Sequence, residues 1–235
     1  MHCVFAAGSR GKRMTAMTAD SGSFPAGGSA SLDVKAVAWA RLAAGIAKGG
    51  EELLRKRFAA ARGAGIPARW IEELLLQSFL NVGYPLTLAA FGVWRELMPD
   101  VADAGGEPLD HAKHNAWKER GVGVAGEVYG RTYQKLLANL RALHPAVEHL
   151  VVTDAYGKIL ARPGLDSKWR ELGTLSAIAM LETPNQLHAH LRGALNLGWT
   201  REEIDALLAL LEHDMTSEHA LDVWSKWAEV RERGL

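Results

Sequence analysis

The sequence predicts an all-α protein, and two observations support this. From about Asp33 onward the chain is rich in good helix formers and shows little of the apolar–polar alternation that is typical of β-strands. A stretch of helical pattern also recurs later in the chain at a constant offset. Recurrence of one supersecondary unit is typical of folds built from tandem copies. We therefore expect a helical bundle made of two related units.

The repeat relates small and apolar residues that lie 133 positions apart. The matching pairs are Ala61 with Ala194, Gly65 with Gly198, Ile71 with Ile204, Leu74 with Leu207, and Leu75 with Leu208. A single offset for all five pairs indicates duplication of one helical hairpin. The first copy is expected within 33–97 and the second within 124–235.

The turn of this hairpin has a glycine in both copies, but different residues start the helix that follows it. Gly65 and Gly198 are suited to the left-handed residue that ends many helices. Pro67 then suits a first helical turn, whereas Thr200 and Glu203 form a capping box at the start of the next helix.

The copies also differ in the residues that could do chemistry. At the offset of 133, Arg57 stands where the second copy has His190, and Ala38 stands where it has Glu171. The first copy therefore lacks an acid/base pair that the second retains.

Two segments are predicted to lie outside the two helical units. Residues 1–32 are rich in glycine and serine and poor in apolar periodicity, so we expect a disordered tail, with Met14 or Met17 as an alternative start. Residues 98–123 are rich in Pro, Gly and Asp and are predicted to be a linker, with helical pattern resuming near Val124.

Composition restricts the classes of function. The chain has 235 residues, is 48% hydrophobic, and carries 27 acidic and 27 basic side chains. This balance provides no net field for nucleic acid or an anionic membrane. We expect a soluble cytoplasmic protein without a membrane-spanning segment. Its single cysteine, Cys3, excludes an internal disulfide and a cysteine-rich metal site.

The candidate chemical site is formed by Glu171 and His190. If both face one pocket, the carboxylate can hold the imidazole in one tautomer and favour a proton donor and acceptor that works without a cofactor. Simpler interpretations stay open. His190 lies among apolar neighbours and could be a buried histidine satisfied by a neighbour, and Glu171 lies near a helix start that favours a carboxylate in any case.

Other polar residues have competing interpretations. Thr183 and Gln186 share a helix face with His190, but Thr183-Pro184-Asn185-Gln186 also has the form of a helix cap. Arg162, or Arg170 as a second choice, could seat a substrate carboxylate, or either could be a structural or surface charge. Trp169 could line the pocket or pack in the core.

Metal binding is not expected. Asp110, His111 and His114 form one conceivable ligand group. His213, Asp214 and His219 form another. Neither comes with a clear third and fourth ligand.

The motifs around this site resemble a known family. Tyr156-Gly157, Arg162-Pro163-Gly164-Leu165 and the Glu171 to His190 spacing are similar to the carboxymuconolactone decarboxylase family. Its AhpD-like redox relatives follow Glu-x11-Cys-x2-Cys-x3-His, which reads here as Glu171, Thr183, Gln186 and His190. The resemblance covers about 118–212 well and about 34–95 weakly.

The resemblance implies a cofactor-independent, decarboxylase-like carboxy-lyase. Its substrate would be a small carboxylated lactone or a related intermediate of aromatic catabolism, and the protein would form a homo-oligomer, with a trimer favoured. Because neither cysteine position of the motif holds a thiol, an AhpD-like peroxidase is the less favoured interpretation. The alternative from another class is a non-catalytic helical scaffold or ligand-binding protein of the same fold.

Overall fold

A computed structural model of the chain describes residues 32–101 and 109–233. These residues form helices and turns and contain no strand, so the all-α prediction is confirmed. The expected tail, apart from Leu32, lies outside the described residues, as does Cys3.

Three helices make up the first half of the fold. They are α1 (Val34–Lys48), α2 (Glu51–Gly63) and α3 (Ala68–Leu97). Asp33 caps α1 by accepting a hydrogen bond from the backbone N–H of Ala36. Within α3, Gly83 adopts φ 72°, a left-handed conformation that glycine reaches without steric cost, and the helix is kinked there.

The helix α3 is both long and apolar. By length and composition alone it is able to cross a membrane, whereas the sequence was expected to contain no membrane-spanning segment. Only 33% of that apolar window is buried. The kink at Gly83 divides it into two shorter helical pieces, and Glu73 and Gln77 lie inside the first piece.

Four helical segments connect the two halves. They are α4 (His114–Tyr129), α5 (Tyr133–Leu143), α6 (Pro145–His149) and a π-helix (Leu150–Leu160). Short 3-10 turns lie at Pro99–Val101, His111–Lys113 and Gly130–Thr132.

The helix α4 begins at His114, ten residues before the position near Val124 where helical pattern was expected to resume. Its buried stripe is Trp117, Gly121, Ala125 and Val128, at helical spacing. The stripe includes a glycine because α4 passes close to the π-helix there. The Pro, Gly and Asp content of residues 98–123 therefore predicted a linker, although the residues from His114 onward form a packed helix.

Four further helical elements form the second half. They are α7 (Ser167–Ile178), α8 (Pro184–Asn196), α9 (Arg201–Leu211) and α10 (Ser217–Arg233), with a 3-10 turn at Glu212–Asp214. The predicted capping box of α9 is confirmed: Thr200 accepts from the N–H of Glu203, and the Glu203 carboxylate accepts from the N–H of Thr200.

The helices of the two halves begin at positions with a constant spacing. Val34, Glu51 and Ala68 start α1, α2 and α3, and Ser167, Pro184 and Arg201 start α7, α8 and α9, each 133 residues later. The caps share this spacing, since Asp33 precedes α1 and Asp166 precedes α7. These positions support the interpretation of two tandem copies.

A matching side-chain contact extends the correspondence. Trp94 is fully buried and donates its indole N–H to Glu72. Trp227, 133 residues later, is 1% exposed and donates its indole N–H to Asp205, which is likewise 133 residues after Glu72. The first contact joins the two pieces of α3 on either side of the kink at Gly83, and the second joins α10 to α9.

One continuous apolar core joins the halves. The helix α1 packs against α7, and α3 packs against both. Trp39 of α1 is fully buried and donates its indole N–H to the carbonyl of Trp169 at 2.8 Å. The start of α7, where Glu171 is located, is therefore held by the first half.

Candidate functional site

The structure brings Glu171 and His190 together in the interior. His190 Nδ1 lies 2.8 Å from Glu171 Oε1. The two side chains are 12% and 5% exposed, respectively. A hydrogen bond of this length between a ring nitrogen and a carboxylate is short and directional.

Local sequence explains how each residue reaches this position. Asp166 caps α7 by accepting from the N–H of Trp169, which places Glu171 in the second turn and facing α8. His190 lies in the middle of α8. Gly193, one turn later, leaves room for the carboxylate, because a Cβ there would lie 2.5 Å from Glu171 Oε1.

The pair defines the chemical state of the imidazole. An ionised carboxylate can only accept hydrogen bonds, so Nδ1 of His190 carries the proton that it donates to Glu171. The other ring nitrogen, Nε2, is then the atom that can accept or deliver a proton. This arrangement fits one proton donor and acceptor with a fixed tautomer.

Two tyrosines from the connecting segment lie beside this pair. The rings of Tyr129, which ends α4, and Tyr156, in the π-helix, meet edge to face with centroids 5.9 Å apart. Burial raises the pKa of the Tyr156 phenol well above its usual range, and the charges of Tyr129 and Glu171 act in the same direction. The sequence motif included Tyr156, but neither tyrosine was assigned to the site.

The two arginines expected to seat a substrate carboxylate converge on Glu73. Arg162 Nε lies 3.1 Å from Glu73 Oε2, and Arg170 Nη2 lies 2.8 Å from the same oxygen. All three side chains are buried. Burial lowers the pKa of Arg170, and the hydrogen bond and charge of Glu73 oppose that shift.

Further contacts tie this cluster into the backbone. Arg170 donates to the carbonyl oxygens of Arg162 and Leu165, and so fixes the loop before α7. Gln77 donates to the carbonyl of Arg170 at 2.9 Å. Sequence reasoning missed Glu73, because no local pattern marks the partners of this buried carboxylate.

Trp169 lies in a cluster of four tryptophans. Its ring centroid is 5.2 Å from that of Trp70 and 6.0 Å from those of Trp39 and Trp199. Trp39 and Trp199 are buried, while Trp70 and Trp169 are half-buried. Trp169 thus packs in the core and also reaches its edge.

Gln186 and Thr183 lie at the start of α8. Gln186 is exposed, one helical turn before His190. Thr183 occupies the cap position, but its side chain makes no capping hydrogen bond, which corrects the expected cap. Its ψ of 71° differs from the extended ψ of 162° and 163° at the caps Asp166 and Thr200, so its hydroxyl is not directed at the free N–H groups.

A cleft of about 600 Å³ lies away from the acid/base pair. It runs between the turn before α8 and the start of α10. Its lining residues are Leu181, Glu182, Thr183, Pro184, Thr216, Glu218, His219, Asp222, Ser225 and Lys226. Three carboxylates against one lysine make it a poor match for a carboxylate ligand.

The conceivable metal ligands do not form a metal site within the described parts of the chain. No group of three or more His, Cys, Asp or Glu side chains there is arranged to hold an ion. The ring of His114 stacks on His149, and His219 Nε2 lies 2.8 Å from the carbonyl oxygen of Ala179.

An all-α fold with a buried Glu–His pair, and no thiol at the two cysteine positions of its motif, is consistent with the AhpD-like helical class. The model of the carboxymuconolactone decarboxylase family matches residues 149–225, which include Glu171 and His190. Together with the similarity to the curated decarboxylase described next, this match shows that the chain belongs to the carboxymuconolactone decarboxylase family.

Three curated proteins are similar to this chain. It is 30% identical over 91 residues to 4-carboxymuconolactone decarboxylase of Acinetobacter baylyi, covering 38% of this chain and 68% of that protein. It is 35% identical over 92 residues to nitrosuccinic acid decarboxylase npaB of Metarhizium robertsii, covering 39% and 64%. It is 26% identical over 140 residues to peroxisomal protein 2 of Schizosaccharomyces pombe, covering 57% and 63%. Two of the three are named as decarboxylases, which supports a decarboxylase-like function.

Proposed function

We propose that this protein is a cofactor-independent, decarboxylase-like carboxy-lyase that acts on a small carboxylated lactone or a related intermediate of aromatic catabolism. His190 is its proton donor and acceptor, and Glu171 orients His190. This proposal rests mainly on the 2.8 Å contact between His190 Nδ1 and Glu171 Oε1 in the interior. Membership of a family with relatives named as decarboxylases supports the reaction class.

The proposed reaction needs one proton to be handled. The bond between the substrate carbon and its carboxylate breaks, CO2 leaves, and the electron pair remains on the conjugated lactone. Nε2 of protonated His190 then delivers a proton to carbon, which yields the enol-lactone, and solvent restores the imidazolium. Glu171 stabilises the imidazolium and keeps Nε2 directed at the substrate.

The substrate carboxylate would be attracted by the arginine cluster. Arg162 and Arg170 supply two positive charges against the one negative charge of Glu73. The excess positive charge favours an anion on this side of α7. Trp169, two residues before Glu171, and Gln186, one turn before His190, would provide contacts to the rest of the substrate.

We also propose a homo-oligomer, with a trimer favoured. Large apolar side chains on α3 are exposed in the single chain: Leu80 by 38%, Tyr84 by 71% and Leu88 by 57%. Burial of such side chains between copies would be favourable. Sedimentation velocity at micromolar concentration tests this part, and a monomer would reject it.

The proposed activity is tested with 4-carboxymuconolactone and a small panel of carboxylated lactones, following CO2 release and lactone product. We expect His190→Ala to reduce kcat/KM by at least about 100-fold and Glu171→Gln by about 10- to 100-fold. Matched controls are His213→Ala and Glu52→Gln, at exposed positions outside the site, which are expected to keep wild-type rates. All variants are compared at equal folded concentration by circular dichroism.

The alternative function is a non-catalytic oligomeric scaffold or ligand-binding protein. Two observations favour it: the predicted arginines already bind Glu73, and the described cleft lies away from Glu171 and His190. A folded wild type that turns over no member of the panel would reject the namesake activity and favour this alternative. A peroxidase would need a thiol near His190, and Cys3 lies outside the described residues.

A further inference from the structure

Two successive backbone carbonyls directly before Glu171 accept hydrogen bonds from side chains of the first half. The indole N–H of Trp39 in α1 donates to the carbonyl of Trp169 at 2.8 Å. The side-chain amide of Gln77 in α3 donates to the carbonyl of Arg170 at 2.9 Å. Both donor side chains are fully buried. Because these bonds end on the backbone of α7, they hold the chain that leads into Glu171.

Gln77 also bonds to α7 one turn further along. Its amide nitrogen donates to the hydroxyl oxygen of Thr174 at 3.2 Å. Its amide oxygen lies 3.5 Å from Arg170 Nη1, which is too long for a strong hydrogen bond. One amide nitrogen therefore binds a carbonyl and a hydroxyl that lie one helical turn apart. Hydrogen bonds are directional, so these two restrain rotation and sliding of α7 more than apolar packing does.

The helix α7 packs closely against the first half on this same face. Gly173 leaves no room for a side chain, because a Cβ there would lie 3.1 Å from Trp39 Nε1 and 3.2 Å from Gln77 Nε2. Glu171 lies two residues earlier, about 160° away around the helix, and meets His190 on the other side of α7. The position and rotation of α7 against α1 and α3 therefore define how Glu171 reaches His190.

The equivalent contact between the copies does not use such a bond. At the offset of 133, Leu210 of α9 stands where α3 has Gln77, and Ala38 of α1 stands where α7 has Glu171. Leucine has no hydrogen-bonding group in its side chain, yet α9 packs against α1 and Leu210 packs against the apolar core. The fold therefore accepts an apolar residue at this position. The amide stands in the copy whose neighbouring helix carries an acid/base residue.

We propose that Gln77 is a positioning residue of the Glu171–His190 pair. It holds α7 at the position and rotation in which the carboxylate of Glu171 meets Nδ1 of His190, and it acts through the carbonyl of Arg170 and the hydroxyl of Thr174. This inference rests on the proposed function, since the pair that Gln77 positions is the one assigned to proton transfer. The first half, which lacks an acid/base pair of its own, thus supports the chemistry of the second.

Gln77→Met tests this role with little change in side-chain volume. Methionine is close to glutamine in length but donates no hydrogen bond. The hydroxyl of Thr174 can then bond to the carbonyl of Arg170, one turn before it, and so keeps a partner. The matched control is Ser78→Ala, which removes a buried hydroxyl that bonds to the carbonyl of Leu74 within α3. Both variants should stay folded with comparable stability, measured by urea denaturation.

The first readout is the Nδ1–H proton of His190, and it needs no substrate. NMR of protein with 15N-labelled histidine distinguishes the two tautomers, and the signal is assigned among the nine histidines by its loss in His190→Ala. In the wild type and in Ser78→Ala we expect slow exchange with water, because this proton is donated to the buried Glu171. In Gln77→Met the signal should shift and exchange about 10-fold faster, because α7 moves more freely.

The second readout is turnover of the lactone panel at equal folded concentration. Gln77→Met should reduce kcat by about 10-fold and change KM by less than about 2-fold, because a misplaced carboxylate impairs proton transfer more than binding. Thr174→Val removes one of the two acceptors of the amide, so it should reduce kcat by a smaller factor. Ser78→Ala should keep the wild-type kcat.

The outcomes separate this inference from the proposed function. An unchanged Nδ1–H signal in Gln77→Met, or a wild-type kcat, overturns the positioning role even if the protein is a decarboxylase. An equal loss of kcat in Ser78→Ala would show general loosening of α3 and would also overturn it. A changed signal without any turnover by the wild type rejects the decarboxylase and supports Gln77 as a positioning residue for a pair with another substrate. A changed signal together with a reduced kcat supports both.

Discussion

Glu73 of α3 accepts a hydrogen bond from Nη2 of Arg170 at 2.8 Å, with both side chains at most 3% exposed. Since Arg162 binds the same carboxylate, one residue of the first half pairs with two arginines from the other side of the core. Arg170 directly precedes Glu171, so this buried cluster sets the position of the helix that carries half of the acid/base pair. It is a buried polar link between the halves near the site, beside the bond from Gln77 to the carbonyl of Arg170.

Replacing Glu73 by Gln should therefore be strongly destabilising. It removes the charge shared by two buried guanidinium groups, and breaking one partner of a buried ion pair costs about 3 to 5 kcal/mol. Urea denaturation followed by circular dichroism measures the free energy of unfolding. The control is Glu52→Gln, which breaks an exposed pair with Lys56 and should leave stability unchanged. A Glu73→Gln protein as stable as the wild type would contradict a structural role for the cluster.

Gly193→Ala should damage the site more than the fold. The new Cβ would lie 2.5 Å from Glu171 Oε1 and must displace the carboxylate from His190. Small displacements of catalytic groups are costly, so we expect kcat/KM to fall by about 10-fold or more. Alanine also favours helix over glycine by about 1 kcal/mol, which partly offsets the steric cost.

The control for this substitution is Gly126→Ala on α4, where an added Cβ meets no atom within 4 Å. That variant should keep activity and lose no stability. Assays on the lactone panel and urea denaturation decide the outcome. Equal activity of Gly193→Ala and the wild type would show that the contact between Glu171 and His190 is not needed for turnover.

Much of the fold could be predicted from sequence because its signals are local. The spacing of Gly65 and Gly198 and the capping box at Thr200 and Glu203 mark helix ends whatever surrounds them. The start of α4 could not be predicted in this way. Gly121 counts as a helix breaker in composition, but it is buried in a helix because another backbone passes against it.

The site likewise has one part that local sequence predicts and another that depends on residues far apart in the chain. The spacing of Glu171 and His190 within a family motif indicated a pair, and they are in contact. The partners of Arg162 and Arg170 depend on Glu73, which is 89 and 97 positions away in the chain. No local pattern encodes such a contact, so the arginines were expected to be available for a substrate.

The interpretation of two tandem copies predicts equal effects at equivalent glycines. Gly65 and Gly198 have φ of 72° and 85°, and each follows a helix by a few residues before the next begins. An L-residue in this conformation costs about 1 to 2 kcal/mol, and an added Cβ at either site meets no atom closer than 3.9 Å. Gly65→Ala and Gly198→Ala should therefore destabilise by similar amounts, within about 0.5 kcal/mol of each other.

The control for the glycine pair is Gly63→Ala, which lies in α2 with no atom near the new Cβ. Because its backbone is helical, it should be neutral or stabilising. Urea denaturation of the three variants gives the comparison. A large loss at one glycine and none at its counterpart would count against structural equivalence of the two hairpins.

Tyr156 should make stability depend on alkaline pH. Burial raises the pKa of its phenol in the folded protein well above the value of about 10 in the unfolded chain. The folded state therefore holds this proton more tightly, and the resulting stabilisation is fully present below about pH 10. As the pH rises above that value, the unfolded chain loses the proton first, so the free energy of unfolding decreases.

We expect this decrease to be smaller in Tyr156→Phe, where the other phenols remain. Urea denaturation of both proteins at steps between about pH 8 and pH 11 measures the two slopes. Parallel curves would show that Tyr156 titrates alike in the folded and unfolded states, which its burial beside Glu171 and Tyr129 argues against.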